Sequence, residues 1–198
     1  MTFDADNRAK LEEHAAAASE LIKQGEYHAA IEHLTLVLQE APQDAKALWE
    51  LAMAYTNLDR NHAALAVLQR LSRLVPGSGE LWTAIGCVLI RLGRFQEAKV
   101  YLLRAYEADQ GNALILRNLG HAYQGLGEVC FAEQALLAAH RLDPDDNRTV
   151  HALAQFYMRK RDTCMAEHWV RLLLSRSAPT ALAHDAEQWL LRIQSGWA

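Results

Sequence analysis

The strongest constraint on this chain is a set of alanines that recur every 34 residues. The five members are Ala30, Ala64, Ala98, Ala132 and Ala166. A period near this length is typical of a helix–turn–helix unit that buries its apolar side by stacking on copies of itself. The spacing therefore predicts an open solenoid of repeats, whose function belongs to a surface and not to an enclosed pocket.

Other positions repeat in phase when the chain is divided into 11–44, 45–78, 79–112, 113–146 and 147–180. The eighth residue of every repeat is small: Ala18, Ala52, Gly86, Gly120 and Ala154. Gly25, Gly93 and Gly127 fill the fifteenth position, where they suit the left-handed conformation that ends a helix, whereas Asp59 and Arg161 interrupt that pattern. Pro42, Pro76, Pro144 and Pro179 are predicted to end the second helices.

The third repeat carries the clearest motif. It combines Trp82, Ile85-Gly86, Gly93, Phe95 and Ala98 at spacings that resemble the tetratricopeptide repeat. The resemblance covers about residues 11–180. It implies an all-α, right-handed superhelical solenoid of about five helix–turn–helix repeats, in which the first helix of each repeat lines the concave face.

The repeat phase runs through the chain without a linker, so we expect a single domain over 1–198. The segment at about 181–194 has an amphipathic pattern and is predicted to be a capping helix on the last repeat. A second interpretation of this helix, together with Trp197, is a homodimer contact or a fold over the groove.

The composition favours a soluble cytoplasmic protein. The first residues lack an apolar signal core, and no apolar run reaches the ~18 residues that a membrane span needs. Three cysteines are an odd number without a CxxC pair, which fits a reducing compartment. Cys130 and Cys164 occupy the same position of successive repeats, and we expect both to be small packing residues, with reactive thiols as the alternative.

Catalytic chemistry is not indicated. The sequence has no P-loop, dinucleotide fingerprint, HExxH or GxSxG motif, so we expect no enzyme activity, no cofactor and no metal. His121 and His151 fall on neighbouring first helices, but Arg117 and Arg148 nearby would repel a cation. His28 and His33, five residues apart, do not share a helical face and are predicted to be solvated.

The resemblance also supplies groove positions, which are the second, fifth, ninth, twelfth and thirteenth residues of each first helix. From these we predict a peptide-binding groove formed by Trp49, Met53, Cys87, Ile90, Arg91, Arg117, His121, His151, Met158 and Arg159. The early members are mostly apolar and the later ones mostly cationic. For any one arginine the alternative is a sideways ion pair with an acid of the next repeat, and for Trp49 it is a place in the core between repeats.

The charge distribution predicts which partner would fit. Residues 1–50 hold ten acidic and four basic side chains, whereas residues 141–176 hold five acidic and seven basic ones. We therefore expect a non-enzymatic adaptor that binds a protein or peptide with apolar and acidic features, such as a chaperone of secretion substrates or an assembly scaffold. The alternative is an RNA-binding helical repeat, which the net charge of −4 and pI of about 6.1 oppose.

Overall fold

The structure, a computed structural model, describes residues 2–176 and 178–196. Its helices are α1 (Thr2–Gln24), α2 (Tyr27–Glu40), α3 (Ala45–Asn57), α4 (Asn61–Leu74), α5 (Gly79–Arg91), α6 (Phe95–Ala108), α7 (Ala113–Gly125), α8 (Val129–Leu142), α9 (Asn147–Lys160), α10 (Thr163–Leu174) and α11 (Thr180–Gln194). The prediction of an all-α fold is confirmed. The helices α3, α5, α7 and α9 begin at the first residues of the predicted repeats.

Two compact units divide the chain, Met1–Arg94 and Phe95–Ala198. Unit 1 contains α1 to α5, and unit 2 contains α6 to α11. Within each unit every helix packs mainly against the helices that precede and follow it in the sequence. Such packing between neighbours in sequence is what a repeat array requires. The single domain over 1–198 stays a prediction.

Small residues let the paired helices approach closely. All five alanines of the 34-residue stride are 0% exposed. Gly120 of α7 shows the reason, because a Cβ built on it would lie 2.6 Å from the side chain of Leu136 on α8. Leu136 is itself fully buried. The small eighth position therefore faces the apolar stripe of the second helix, as the sequence pattern predicts.

The turns between paired helices share one backbone conformation. Gly25, Gly93 and Gly127 have φ angles of 81°, 71° and 73°, and the two residues that interrupt the glycine pattern, Asp59 and Arg161, adopt 56° and 57°. The left-handed conformation is unfavourable for a residue with a Cβ. The repeat geometry thus imposes this turn even where the sequence lacks glycine.

Capping side chains start the first helices. Asp44, Ser78, Asn112 and Asp146 precede α3, α5, α7 and α9, and each accepts a hydrogen bond from a backbone N–H of the first helical turn. These bonds satisfy donors that have no partner inside the helix. These caps were not predicted from the sequence, although Asp, Ser and Asn directly before a helix are the residue types preferred there.

Helix α11 takes the role of the predicted cap. It packs against α10 and α9, and it buries Ala186 and Ile193. Glu187 and Gln188 of α11 are exposed. They stand at the seventh and eighth positions of the register, where the five repeats carry an apolar residue and a small residue, respectively. A further helix could not pack closely against these two long polar side chains, so this side of α11 suits contact with water. Trp197, which was considered for a dimer contact, lies outside the described residues.

The cysteine prediction is wrong at two positions. Cys130 and Cys164 are exposed and therefore do not pack between helices, and all three cysteines carry thiols and form no disulfide. None of the helices in the described ranges combines the length and apolar character needed to cross a membrane.

Candidate functional site

The first helices of unit 1 are joined to one another by polar contacts. Ser19 Oγ on α1 donates to Glu50 Oε1 on α3 at 2.8 Å. Arg91 Nη1 on α5 donates to the carbonyl oxygen of Thr56 on α3 at 3.1 Å and lies 3.7 Å from Asp59 Oδ1. These contacts hold three first helices side by side, so their predicted groove positions belong to one surface.

Apolar side chains occupy the middle of that surface. Trp49 and Met53 are four residues apart on one stripe of α3, and Cys87 and Ile90 stand on α5. All four side chains are half-buried. We call these four residues the unit 1 strip. Each packs partly into the repeats and leaves a partly exposed apolar edge, which is the arrangement expected of a surface that binds apolar groups.

Arg117 of unit 2 is already paired within its own unit. Its side chain is 11% exposed, and its guanidinium donates to the Asp146 carboxylate at the start of α9. Asp146 also accepts from Thr149 Oγ1 at 2.6 Å. Burial works to raise the pKa of Asp146, but the hydrogen bond from Thr149 and the charge of Arg117 together hold it below its ordinary value. Arg117 is thus the sideways ion pair that the sequence left open.

His151 is covered by the capping helix. Its Nε2 lies 2.9 Å from Asp185 Oδ2, and its ring centroid is 4.8 Å from that of Trp189. Both partners stand on α11. Neither partner was predicted from the sequence, although adding the 34-residue period to His151 and Gln155 leads directly to Asp185 and Trp189.

His121 is held in its neutral form. Burial, followed by the charge of Arg117, lowers its pKa to about 4, while a hydrogen bond with Gln124 works in the opposite direction. The charges of Arg159 and His151 add to the lowering. His121 therefore presents a polar but uncharged ring at neutral pH. Over the part of the chain that is described, no three His, Cys, Asp or Glu side chains form a cluster suited to a metal ion.

The remaining predicted residues of unit 2 differ in exposure. Met158 is buried at 7%, so it contributes to the core, whereas Arg159 is exposed. Arg148, at the second position of α9, is also exposed. Neither arginine side chain forms an ion pair with a described residue. Both guanidinium groups are therefore available to a partner.

An open cleft of about 640 Å³ lies in unit 2 beside Arg148. Leu114 of α7 and Leu142 of α8 line it and are 41% and 48% exposed. The aspartates of its wall accept hydrogen bonds from their own turns, as Asp109 does from the Gly111 N–H at 3.1 Å. The cleft therefore combines two exposed leucines and the exposed guanidinium of Arg148 with the carboxylates of three aspartates, Asp109, Asp143 and Asp146.

Comparison with known proteins agrees with the repeat register. Two tetratricopeptide repeat family models match residues 21–86 and 79–112. The small glutamine-rich tetratricopeptide repeat-containing protein 2 of Mycosarcoma maydis is 23% identical over 121 residues, which is 61% of this chain and 34% of that protein. The chain thus spans about a third of the length of this relative.

Several solved structures share the fold. TTC0263, a thermophilic TPR protein of Thermus thermophilus, is 23% identical with a TM-score of 0.77, covering 91% of this chain and 99% of its own. MamA 41-end from Desulfovibrio magneticus RS-1 is 21% identical with a TM-score of 0.75, covering 85% and 98%. YrrB, described as a TPR protein with an unusual peptide-binding site, is 19% identical with a TM-score of 0.65, covering 88% and 90%.

The motif, the buried stride of alanines, the family models and these folds lead to one assignment. Residues 21–112 match tetratricopeptide repeats, and the chain as a whole shares the fold of solved TPR proteins.

Proposed function

We propose that this protein is a non-enzymatic adaptor that binds an extended or helical segment of a partner protein on the exposed faces of its first helices. The observation that carries the proposal is the unit 1 strip. Its four side chains are apolar, half-buried and placed on adjacent helices. Leaving such an edge in water is unfavourable, and a partner's apolar side chains would remove it from water.

Unit 2 adds a preference for acidic partners to the proposal. Its cleft offers Leu114 and Leu142 to an apolar side chain and the exposed guanidinium of Arg148 to a carboxylate. Arg159 supplies a second exposed cation. A segment that places apolar side chains in the cleft and carboxylates beside Arg148 and Arg159 complements these groups.

The non-enzymatic part of the proposal rests on how the polar groups are used. His151 is bound to Asp185, Arg117 is bound to Asp146, and His121 is a neutral ring beside cations. These pairings stabilise the repeats and orient no nucleophile. We place the protein in the cytoplasm as part of the same proposal, because its cysteines remain thiols. A chaperone of secretion substrates and an assembly scaffold both fit this adaptor role.

The test is capture of partners from native lysate with matched surface variants. Wild type is compared with Met53→Glu in the unit 1 strip and with Leu114→Ser/Arg148→Glu in the unit 2 cleft. Leu36→Ser is the control, because Leu36 is an equally exposed leucine, at 44%, on the second helix α2. Circular dichroism establishes that each variant is folded.

The expected result is a partner that wild type and Leu36→Ser retain and that a first-helix variant loses by at least about tenfold, which is about 1.4 kcal/mol of binding free energy. Partner retention by every variant would show that the first-helix faces do not bind it. Capture of unfolded chains only would favour the chaperone role, and capture of a folded complex would favour the scaffold role.

A further inference from the structure

Two histidines in the first repeat point their rings at each other. Nδ1 of His14 on α1 lies 2.8 Å from Nδ1 of His33 on α2, and the ring centroids are 5.0 Å apart. The ring centroids are farther apart than the two Nδ1 atoms by almost the sum of the two ring radii. Both nitrogens therefore lie between the ring centres. This is the geometry of an N–H···N hydrogen bond, in which one Nδ1 carries the hydrogen and the other accepts it. The prediction that His33 is solvated is wrong, because the side chain is half-buried.

The repeat register makes this pair unusual. The histidines occupy the fourth and twenty-third positions of the first repeat, where the others carry apolar or aromatic residues: Leu48 with Val67, Trp82 with Tyr101, Leu116 with Ala135, and Val150 with Trp169. An ordinary repeat thus uses these positions for packing that does not depend on pH. The first repeat replaces that packing with two imidazoles, each a side chain that can gain a proton.

We propose that the His14–His33 pair is a proton-operated latch that holds α1 against α2 and releases it when both imidazoles are protonated. With at most one extra proton on the pair, one nitrogen still accepts the hydrogen bond. With two extra protons both nitrogens are donors, the bond is lost and two positive rings face each other. Helix α1 packs against α2 and, less extensively, α3. Loss of the latch therefore weakens the main contact that holds this helix.

No salt bridge in the described chain would offset the charge of a doubly protonated pair. On α1, Lys10 stands one turn before His14 and Glu13 is its neighbour in sequence; on α2, the residues one turn from His33 are uncharged and Glu32 is adjacent in sequence. The charged residues of α3 are Lys46 and Glu50, which lie 3.7 Å apart. Within the described chain no carboxylate forms an ion pair with either imidazole.

The experiment is hydrogen exchange read out peptide by peptide at about pH 7.5 and pH 5.0, corrected for intrinsic exchange rates. Chelator is present, because imidazoles also bind transition metals. The variant His14→Leu/His33→Val installs the residues of the second repeat, Leu48 and Val67. His28→Ala is the matched control, because His28 is an exposed histidine on the same helix α2.

In wild type and in His28→Ala, we expect protection of α1 to fall by at least about tenfold at the lower pH while α3 keeps most of its protection. In His14→Leu/His33→Val the fall in α1 should disappear. An equal fall in that variant, or no fall in wild type, would overturn the latch. Because this readout follows α1 alone, it is independent of whether the first-helix faces bind a partner.

Discussion

The two units use the same groove positions in opposite ways. On α3 and α5 of unit 1 the ninth position carries Met53 and Cys87, whose half-buried side chains leave an apolar edge. In unit 2 the same position carries His121, a ring kept neutral by its surroundings, and the fifth position carries Arg117 in an ion pair with Asp146. A repeat position therefore determines where a side chain lies, whereas the neighbouring helix determines what that side chain can still bind.

The largest loss of stability is expected when the buried ion pair of unit 2 is broken. Asp146→Ala leaves the Arg117 guanidinium without its carboxylate and removes the cap of α9, so we expect a loss of about 3 kcal/mol of unfolding free energy. Asp44→Ala is the matched variant in unit 1. Asp44 caps α3 by accepting from the Ala47 N–H, and removing that bond should cost about 1 kcal/mol.

Chemical denaturation of both variants measures the difference. Asp146→Asn helps to separate the two contributions, because an asparagine can still cap the helix, as Asn112 does for α7. Equal losses of unfolding free energy for Asp146→Ala and Asp44→Ala would mean that the ion pair adds no stability beyond that of the helix cap.

The second expected effect is a pH dependence of unit 2 that comes from His121. Its folded pKa of about 4 is below the ordinary value of 6.5, so the unfolded chain binds more protons between these values. Stability is therefore lost as the pH falls through this window. We expect a loss of at most about 2 kcal/mol at pH 5 relative to neutral pH.

Hydrogen exchange of α7 and α9, compared with α3 and α5, would detect this loss. His121→Gln installs the residue that the fifth repeat carries at the same position, Gln155, and should remove most of the pH dependence. If the variant and wild type lose protection in parallel on acidification, another group is responsible.

The turns allow a third comparison between the units. Arg161 adopts the left-handed conformation at φ 57° in unit 2, so Arg161→Gly should stabilise the protein by about 1 kcal/mol. Asp59→Gly in unit 1 should gain less, because Asp59 accepts a hydrogen bond from Asn61 Nδ2 at 2.7 Å and loses it in the variant.

Gly127→Ala is the reverse change, and it should destabilise by a similar amount because open space around Gly127 leaves only the backbone cost. Thermal unfolding midpoints of the three variants test the order. A destabilised Arg161→Gly would show that the arginine side chain stabilises the turn through a contact that outweighs the backbone strain.

The smallest effect is expected for the arginine of unit 1. Arg91 and Asp59 are 51% and 82% exposed, so their ion pair is screened by water. Arg91→Ala should change the unfolding free energy by less than about 0.5 kcal/mol, in contrast to the loss of the Arg117 pair. If the denaturation midpoint of Arg91→Ala shifted as far as that of Asp146→Ala, the exposed ion pair of unit 1 would stabilise the protein as much as the buried ion pair of unit 2.

The sequence alone determined the framework of the fold. The five alanines of the stride are all fully buried, and four first helices begin where the register predicts, at Ala45, Gly79, Ala113 and Asn147. This succeeds because each repeat meets the same packing requirement. A small residue is needed wherever two helices approach closely, and apolar residues must follow a helical period, so the pattern is written locally and repeated.

The tertiary structure alone decided which groove residues stay available. Arg117 pairs with a cap 29 residues away, His151 pairs with Asp185 on α11, and His33 meets His14 across 19 residues. Helical periodicity places these side chains on a face, but it does not specify the rotamer or the neighbouring group. Burial and pairing, which set the charge of each residue, arise only when helices distant in sequence lie side by side.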